Sequence, residues 1–290
     1  MFSGCATAII TPMNKDGSVD EAGLRELVRW QEESGIRTLV PCGSTGESAT
    51  LNHQEHLRVI EVVLDEARHA KVIAGSGSNA TSEAIHLSKG AQDLGAHGLL
   101  SISPYYNKPT QAGIIKHYEA ICAAVDIPTI VYNIPSRTGS NITAATMLRL
   151  AQIPGIGGVK EASGDIHQIA AIASHAPPGF LVLSGDDAMT VPAMAMGAKG
   201  VISVTSNLLP QTMLSMVNAM MAGKVEEARR INESLLPLYS ALFIETNPIP
   251  VKTALGLMSK PAGPLRLPLC EMSTPNLEAL KRTLSDYKLI

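Results

Sequence analysis

Aromatic residues are scarce in this chain of 290 residues, where they make up 3% of the sequence with one Trp and three Phe. Proteins that bind single-stranded nucleic acids stack the bases on aromatic side chains, which this chain can hardly supply. The net charge is −3, and the basic residues form no run that would attract a phosphate backbone or an anionic membrane. We therefore expect no nucleic-acid partner, no membrane partner and a core of aliphatic side chains.

The chain also has few cysteines and no long apolar run. Its four cysteines are spaced like neither a zinc site nor a dense disulfide framework. No apolar stretch approaches the roughly 20 residues that cross a bilayer. The first residues lack the basic and apolar regions of a secretory signal. Together these features favour a soluble protein in the reducing cytoplasm.

What the sequence does contain is an alternation of short apolar runs with longer amphipathic ones. The apolar runs carry little polar alternation, which is typical of parallel strands buried on both faces. Eight such β/α units predict a (β/α)8 TIM barrel. A doubly wound sheet is the main alternative, but it usually has a glycine-rich phosphate motif after its first strand, where this chain has Thr11-Pro12-Met13. The predicted strands are Cys5–Ile10, Thr38–Cys42, Val72–Gly75, Gly98–Ser103, Thr129–Tyr132, Gly157–Lys160, Leu181–Ser184 and Gly200–Val204.

Helices are predicted between the strands and again at the end of the chain. Residues suited to N-caps precede several of them, namely Asp20, Asn52, Thr81 and Thr110. The alternation stops near residue 225, after which only helices are predicted, at Val225–Leu242, Pro250–Met258 and Asn276–Lys288. We expect a catalytic barrel domain over residues 1–224 and a small helical domain over residues 225–290 that packs on it.

One lysine has a distinctive position in this scheme. Active sites of TIM barrels lie at the carboxyl ends of the strands, and Lys160 alone among the lysines ends a predicted buried strand, whereas Lys252 lies in a predicted helix. Burial favours the neutral amine, which can attack a carbonyl to form an imine. Gly157 and Gly158 are expected to leave room for a long side chain or a substrate. A lysine that only extends to the barrel mouth, or that pairs with Glu161, is the alternative.

Other strand ends carry polar side chains, and each of them has both a functional and a purely structural interpretation. Tyr132 can pass a proton or pack at the barrel rim. The turn Gly43-Ser44-Thr45-Gly46-Glu47 can present hydroxyls and N–H groups to a small anion, or be an ordinary glycine turn. Arg137 can grip a carboxylate with its planar guanidinium, or lie on the surface.

Two further pairs stand out. Tyr105 and Tyr106 follow the fourth strand and suit either a functional role or an interface. His53 and His56 are three residues apart on one helical face, but no third ligand is apparent, so we expect no metal site.

Taken together, these segments resemble the pyruvate-dependent class I aldolase family that includes dihydrodipicolinate synthase and N-acetylneuraminate lyase. The resemblance covers nearly the whole chain. Within the family, the Tyr105-Tyr106 pair and Arg137 favour the dihydrodipicolinate synthase branch, which serves diaminopimelate and lysine biosynthesis. The strongest segments are Gly43–Thr50, Ser103–Thr110, Tyr132–Gly139, Lys160–Asp165 and Ser184–Asp187.

The resemblance implies a catalytic set. Lys160 would form the imine with pyruvate, and Tyr132 would donate and accept protons. Ser44 would take the relay position that is usually threonine, and Tyr106 would complete the relay from across a dimer interface. Because the imine nitrogen accepts the electrons, no metal or organic cofactor is expected.

It also implies how the substrates are held and how the chain assembles. Thr45 and the main chain of Ile202 would hold pyruvate, and Arg137 would bind the carboxylate of L-aspartate 4-semialdehyde. Family members are commonly homotetramers, and a tyrosine supplied by a neighbour requires at least a dimer.

A second site is implied for feedback inhibition by L-lysine. In it, Glu83 would pair with an amino group and His56 would bond a carboxylate. The matching residues are Ser48, Ala49, His53, His56, Asn79, Glu83 and Tyr105.

Two other functions stay open at this point. A sibling aldolase that cleaves N-acetylneuraminate or a 2-keto-3-deoxy sugar acid would keep Lys160 and Tyr132, but would need hydroxyl partners for a polyol chain. A non-enzymatic ligand-sensing barrel would keep the fold while its catalytic positions degraded.

Overall fold

The structure, a computed structural model, describes residues 2–290. Eight parallel strands close into a barrel in chain order, and the last strand pairs with the first. The predicted fold and all eight predicted strands are confirmed. The strands are β1 (Gly4–Thr7), β2 (Thr38–Leu39), β3 (Lys71–Gly75), β4 (Gly98–Ile102), β5 (Thr129–Asn133), β6 (Ile156–Glu161), β7 (Leu181–Ser184) and β8 (Gly200–Ser203).

Strands β4 and β8 end one residue before their predicted ends, and β1 and β2 end three residues before theirs, because the apolar run continues after the ladder of hydrogen bonds has ended. β1 was expected to reach Ile10, but the Ile10 N–H donates to the Asn207 side chain instead of to a neighbouring strand. β2 comprises only Thr38–Leu39. The apolar pattern of the sequence shows which residues are buried. It does not show where a strand ends, because the hydrogen bonds that define the end depend on the neighbouring strands.

Helices cover the outside of the barrel, and three more follow it. Within residues 2–290, nine α-helices lie among or directly after the strands, and the last three are close to the predicted helices of the C-terminal segment. The helices are α1 (Glu21–Glu33), α2 (His53–Glu66), α3 (Thr81–Asp93), α4 (Gln111–Cys122), α5 (Pro135–Thr138), α6 (Ala144–Leu150), α7 (Ile166–His175), α8 (Thr190–Ala195), α9 (Pro210–Met221), α10 (Val225–Leu242), α11 (Ile249–Leu257) and α12 (Thr274–Asp286).

Three of the four expected N-caps are confirmed. Asp20 and Thr110 accept from the N–H three residues on, and Asn52 forms a reciprocal capping box with Glu55. Thr81 was wrong as an N-cap, because it is the first residue of α3 and its hydroxyl bonds to His117 at 2.9 Å.

The core has an inner and an outer part. Inside the barrel, mostly aliphatic side chains from the strands pack on one another, among them Ile73, Leu100 and Leu183. Outside, one cluster joins the strands and their helices to the C-terminal helices, with Leu24 of α1 and Leu280 of α12 both fully buried in it. The C-terminal helices thus pack on the barrel as expected, and the division of the chain at residue 224 stays a prediction. Among the helices of residues 2–290, none has the length and apolarity to cross a bilayer.

Candidate active site at the carboxyl end of the barrel

The register of two strands places Lys160 beside Tyr132. β5 and β6 pair with Tyr132 opposite Lys160, and β6 and β7 pair with Lys160 opposite Leu183. Paired residues of neighbouring strands point to the same face, and Tyr132 and Leu183 both belong to the cluster inside the barrel. The Lys160 Nζ lies 4.2 Å from the centroid of the Tyr132 ring, and only 5% of the lysine is exposed.

Glu161 does not pair with Lys160. Successive residues of a strand point to opposite faces, so the Glu161 carboxylate lies on the outer side of β6. There it accepts hydrogen bonds from the Asn133 and Gln168 side chains and from the Ser163 N–H. The carboxylate next in sequence is fully engaged elsewhere, and the lysine amine is left inside the barrel with an aromatic neighbour.

The glycines before Lys160 have a different role from the predicted one. A side chain on Gly158 would come within 2.3 Å of the Leu181 carbonyl oxygen, and one on Gly157 within 3.1 Å of Pro128. They leave no room for a substrate; they allow β6 to pack closely against its neighbours. The strand register also skips Gly157, since Thr129 pairs with Ile156 and Ile130 with Gly158.

Gly185, after β7, is the glycine that accommodates the lysine. A Cβ at this position would lie 3.0 Å from the Lys160 Cε and 2.7 Å from the Ala162 Cβ. Sequence reasoning included it in a family segment but gave it no role, because the contact is made between two different strands.

The turn after β2 carries two hydroxyls at the same end of the barrel. Its backbone closes through hydrogen bonds from Gly46 to Gly43 and from Glu47 to Ser44. The Thr45 hydroxyl is buried and accepts a hydrogen bond from the Asn247 Nδ2 at 3.0 Å. A hydroxyl that accepts one bond keeps its own proton for donation, so Thr45 can still donate to an anion.

Asn247 connects this turn to Arg137 and was missed by sequence reasoning. Arg137 lies on α5, directly after β5, and its Nη2 donates to the Asn247 carbonyl at 2.7 Å. The Asn247 Oδ1 is buried and has no hydrogen-bond partner among residues 2–290. Asn247 belongs to the segment between α10 and α11, and no local pattern there indicates a site.

A cavity of about 440 Å³ connects these groups with the predicted effector residues. Ser44, Arg137 and Asn247 line it. Asn79 does not line it, and its carbonyl accepts from the Asn107 side chain instead. Lys160 and Tyr132 lie outside its lining. The other predicted effector residues all line it, namely Ser48, Ala49, His53, His56, Glu83 and Tyr105.

His56 has the opposite polarity to the one expected. Its Nε2 lies 2.6 Å from the Gly75 carbonyl and must donate, because a carbonyl only accepts. Burial lowers the pKa of His56, which favours the neutral ring, and in the neutral ring with Nε2 as donor the Nδ1 is an acceptor. Such a ring suits an amino group; a carboxylate would require a second donor.

An acidic and a basic side chain, Glu83 and His53, lie close together in the lining of this cavity. The Glu83 carboxylate accepts from the Ser78 hydroxyl at 2.7 Å and lies 3.8 Å from the His53 Nε2. No group of three or more His, Cys, Asp or Glu side chains in the described part of the chain is arranged to hold a metal ion.

The remaining predicted residues differ in exposure. Ile202 is buried inside the barrel on β8, opposite Ala6 of β1. Tyr106 is 88% exposed, and its backbone has a left-handed φ of 71°. Tyr105 beside it is 36% exposed. The Tyr106 ring thus points away from the barrel of its own chain.

The structure also reveals a second buried lysine. Lys252, on α11, is 2% exposed, and its Nζ lies 2.5 Å from the Glu47 carboxylate. An ammonium held in an ion pair is a poor nucleophile, because its lone pair carries a proton. Lys160 is therefore the better placed of the two to form an imine.

Comparison with known proteins identifies the family of the chain. The model of the dihydrodipicolinate synthetase family matches residues 1–287. The 4-hydroxy-tetrahydrodipicolinate synthase of Syntrophus aciditrophicus is 51% identical over 291 residues and covers the full length of both chains.

Solved structures give the same result. A chloride-inhibited dihydrodipicolinate synthase from Acinetobacter baumannii, complexed with pyruvate, is 42% identical over 100% of both chains with a TM-score of 0.98. A relative from Cyanidioschyzon merolae with lysine bound is 40% identical, covers 100% of this chain and 99% of its own, and has a TM-score of 0.97. The chain therefore belongs to the dihydrodipicolinate synthetase family.

Proposed function

We propose that the chain is a lyase with 4-hydroxy-tetrahydrodipicolinate synthase activity, which condenses pyruvate with L-aspartate 4-semialdehyde through an imine on Lys160. The observation that carries this proposal is the Lys160 Nζ, which lies inside the barrel over the Tyr132 ring. The full-length relative that is 51% identical carries this activity in its name.

The first half of the reaction binds pyruvate covalently. The Lys160 amine attacks the pyruvate ketone, and the ketone oxygen leaves as water after protons have been transferred by Tyr132. The Thr45 hydroxyl holds the pyruvate carboxylate, and the main chain of Ile202 contacts pyruvate. The relative from Acinetobacter baumannii, which is complexed with pyruvate, supports this choice of substrate.

The second half forms the new carbon–carbon bond. The imine makes the pyruvate methyl acidic, and loss of a proton gives an enamine that attacks the aldehyde. The amino group of the second substrate then closes the ring and displaces Lys160. Since the imine nitrogen is the electron sink, the reaction needs no metal or organic cofactor.

We assign the proton transfers of this half to Tyr132, Ser44 and Tyr106. Ser44 keeps the donor and acceptor of the usual threonine but lacks the methyl group that restricts χ1. Tyr106 is exposed on its own chain, and we propose that it completes the relay in a neighbouring subunit. The active form is then at least a dimer, and we propose a homotetramer in the cytoplasm.

Arg137 is proposed to select the second substrate. Its planar guanidinium can bind the carboxylate of aspartate semialdehyde with two hydrogen bonds. A lyase for a sugar acid would need hydroxyl partners for a polyol chain at this position, so Arg137 argues against a sugar-acid lyase activity. The C-terminal unit of residues 225–290 takes part through Asn247, which bonds to both Arg137 and Thr45.

We also propose that L-lysine inhibits the enzyme by binding in the cavity beside the active site. Glu83 offers a carboxylate to an amino group of the ligand, and neutral His56 offers an acceptor to its other amino group. The relative from Cyanidioschyzon merolae, which has lysine bound, supports this ligand.

Trapping of the imine tests the central assignment. Incubation with pyruvate and sodium borohydride is expected to leave a stable adduct on the peptide that contains Lys160, as mapped by mass spectrometry. The adduct should disappear in Lys160→Ala and persist in Lys199→Ala, which removes an exposed lysine at the opposite end of the barrel. An adduct on Lys252, or none in the wild type, would refute the mechanism.

Removal of the guanidinium tests substrate selection. In Arg137→Gln, KM for aspartate semialdehyde is expected to rise by roughly 10- to 100-fold, since a hydrogen bond to a charged group contributes about 1.5–3 kcal/mol. Trapping of pyruvate on Lys160 should persist. Arg149→Gln, at an exposed position on α6, is the matched control. Unchanged kinetics in Arg137→Gln, or turnover of N-acetylmannosamine by the wild type, would contradict the assignment.

Inhibition by L-lysine tests the effector cavity. In Glu83→Gln, the lysine concentration that halves the initial rate is expected to rise about tenfold or more, because an ionic hydrogen bond is lost. Glu119→Gln removes an exposed carboxylate on α4 and serves as the control. Equal inhibition of the Glu83 variant and the wild type would place the effector elsewhere.

A further inference from the structure

A buried ion pair lies beneath the turn that carries Ser44 and Thr45. The Lys252 Nζ is 2.5 Å from the Glu47 Oε1, and the two side chains are 1% and 0% exposed. Both groups have a second partner, because Lys252 donates to the Pro264 carbonyl at 2.8 Å and Glu47 accepts from the Arg266 N–H at 3.1 Å. The Glu47 carboxylate is thus held through both of its oxygens.

The backbone at Glu47 needs such an anchor. Its φ of 54° lies in the left-handed region, which costs energy for a residue with a Cβ. Cys42, at the other end of the turn, has a φ of 55°. A turn with a strained residue at each end keeps its shape only where the surroundings hold it.

The segment that contains α11 and the residues just before it contacts the turn at two points. Asn247, just before α11, donates to the Thr45 hydroxyl, and Lys252, within α11, binds Glu47 two residues after Thr45. Helix α11 and the turn are therefore joined on both sides of Gly46. A shift of the turn relative to α11 would break the contact at Thr45 as well as the ion pair.

Stability alone does not account for two charges at this place. Taking both ions out of water is expensive, and apolar replacement of a buried pair is often neutral or stabilising. Burial lowers the pKa of Lys252, and the adjacent carboxylate opposes that shift. The ion pair and its two hydrogen bonds to the backbone are directional. They therefore fix the position of the turn more closely than apolar packing would.

We propose that the Glu47–Lys252 ion pair is a positioning device for the reaction, which holds the turn so that Thr45 and Ser44 keep the arrangement that pyruvate binding and proton transfer require. Both side chains are buried beneath the turn, so they act on the reaction through Thr45 and Ser44. The inference rests on the proposed function, because it assigns the purpose of the pair through the roles of Thr45 and Ser44.

A double variant tests this proposal without leaving a lone buried charge. Glu47→Gln combined with Lys252→Met removes both charges at similar volume, and thermal unfolding checks that the fold is retained. KM for pyruvate is expected to rise at least tenfold and kcat to fall, while saturating pyruvate still gives the borohydride adduct on Lys160. Wild-type KM and kcat in the folded double variant would overturn the proposal.

Glu47→Asp provides a second variant should the double variant fail to fold. It keeps the charge but withdraws the carboxylate by one methylene, so it should also raise KM for pyruvate at least tenfold. A purely electrostatic role would tolerate the change, and wild-type KM would therefore overturn the proposal.

Glu32→Gln is the matched control for loss of a buried carboxylate. Glu32 accepts from the backbone N–H groups of Arg68, His69 and Ala70, which precede β3 at the opposite end of the barrel. It should lower the unfolding temperature without changing KM for pyruvate. A rise in KM equal to that of the Glu47 variants would make the effect one of general stability and refute positioning. Failure of the proposed function is distinguishable, because it would remove the Lys160 adduct from the wild type.

Discussion

Strands β5 and β6 run parallel with Tyr132 opposite Lys160, and this register determines which side chains meet inside the barrel. It depends on the irregularity at Gly157. Without the skipped residue, the pairing of Thr129 with Ile156 would continue to Tyr132 opposite Val159. A shift of one residue exchanges the two faces of a strand. The two glycines before the lysine thus serve the chemistry indirectly, by allowing the irregularity and the close packing that bring the amine to the phenol.

The rest of the site is assembled around this pair by segments that are distant in sequence. Asn247 reaches the Thr45 hydroxyl across 202 positions of sequence, and Lys252 reaches Glu47 across 205. Both come from the segment that follows the barrel. The helices after residue 225 therefore do more than cover apolar surface, since they hold the turn that we propose binds pyruvate. The cavity that we propose binds L-lysine begins at the same turn, with Ser44 and Ser48 both in its lining.

Much of this could be predicted from the sequence, for reasons that differ between residues. Burial on both faces marks each strand, and position at a strand end singled out Lys160, so the barrel and its lysine followed from local pattern. Thr81 resembled an N-cap by residue type alone, yet its hydroxyl found a partner on α4. Gly185, Asn247 and the Glu47–Lys252 pair carry no local signal, because each acts through a contact that exists only in the folded chain. The polarity of His56 depended in the same way on the Gly75 carbonyl.

Lys160 and Tyr132 are proposed to make the pyruvate methyl acidic, and hydrogen exchange on pyruvate measures this acidity without a second substrate. In heavy water, the wild type is expected to replace the methyl protons of pyruvate with deuterium, seen as loss of the methyl signal in proton NMR. The Lys160→Ala variant should show only the background exchange of pyruvate in buffer, because it cannot form the imine that leads to the enamine. Exchange at the same rate in both proteins, or exchange at the background rate in the wild type, would contradict the account.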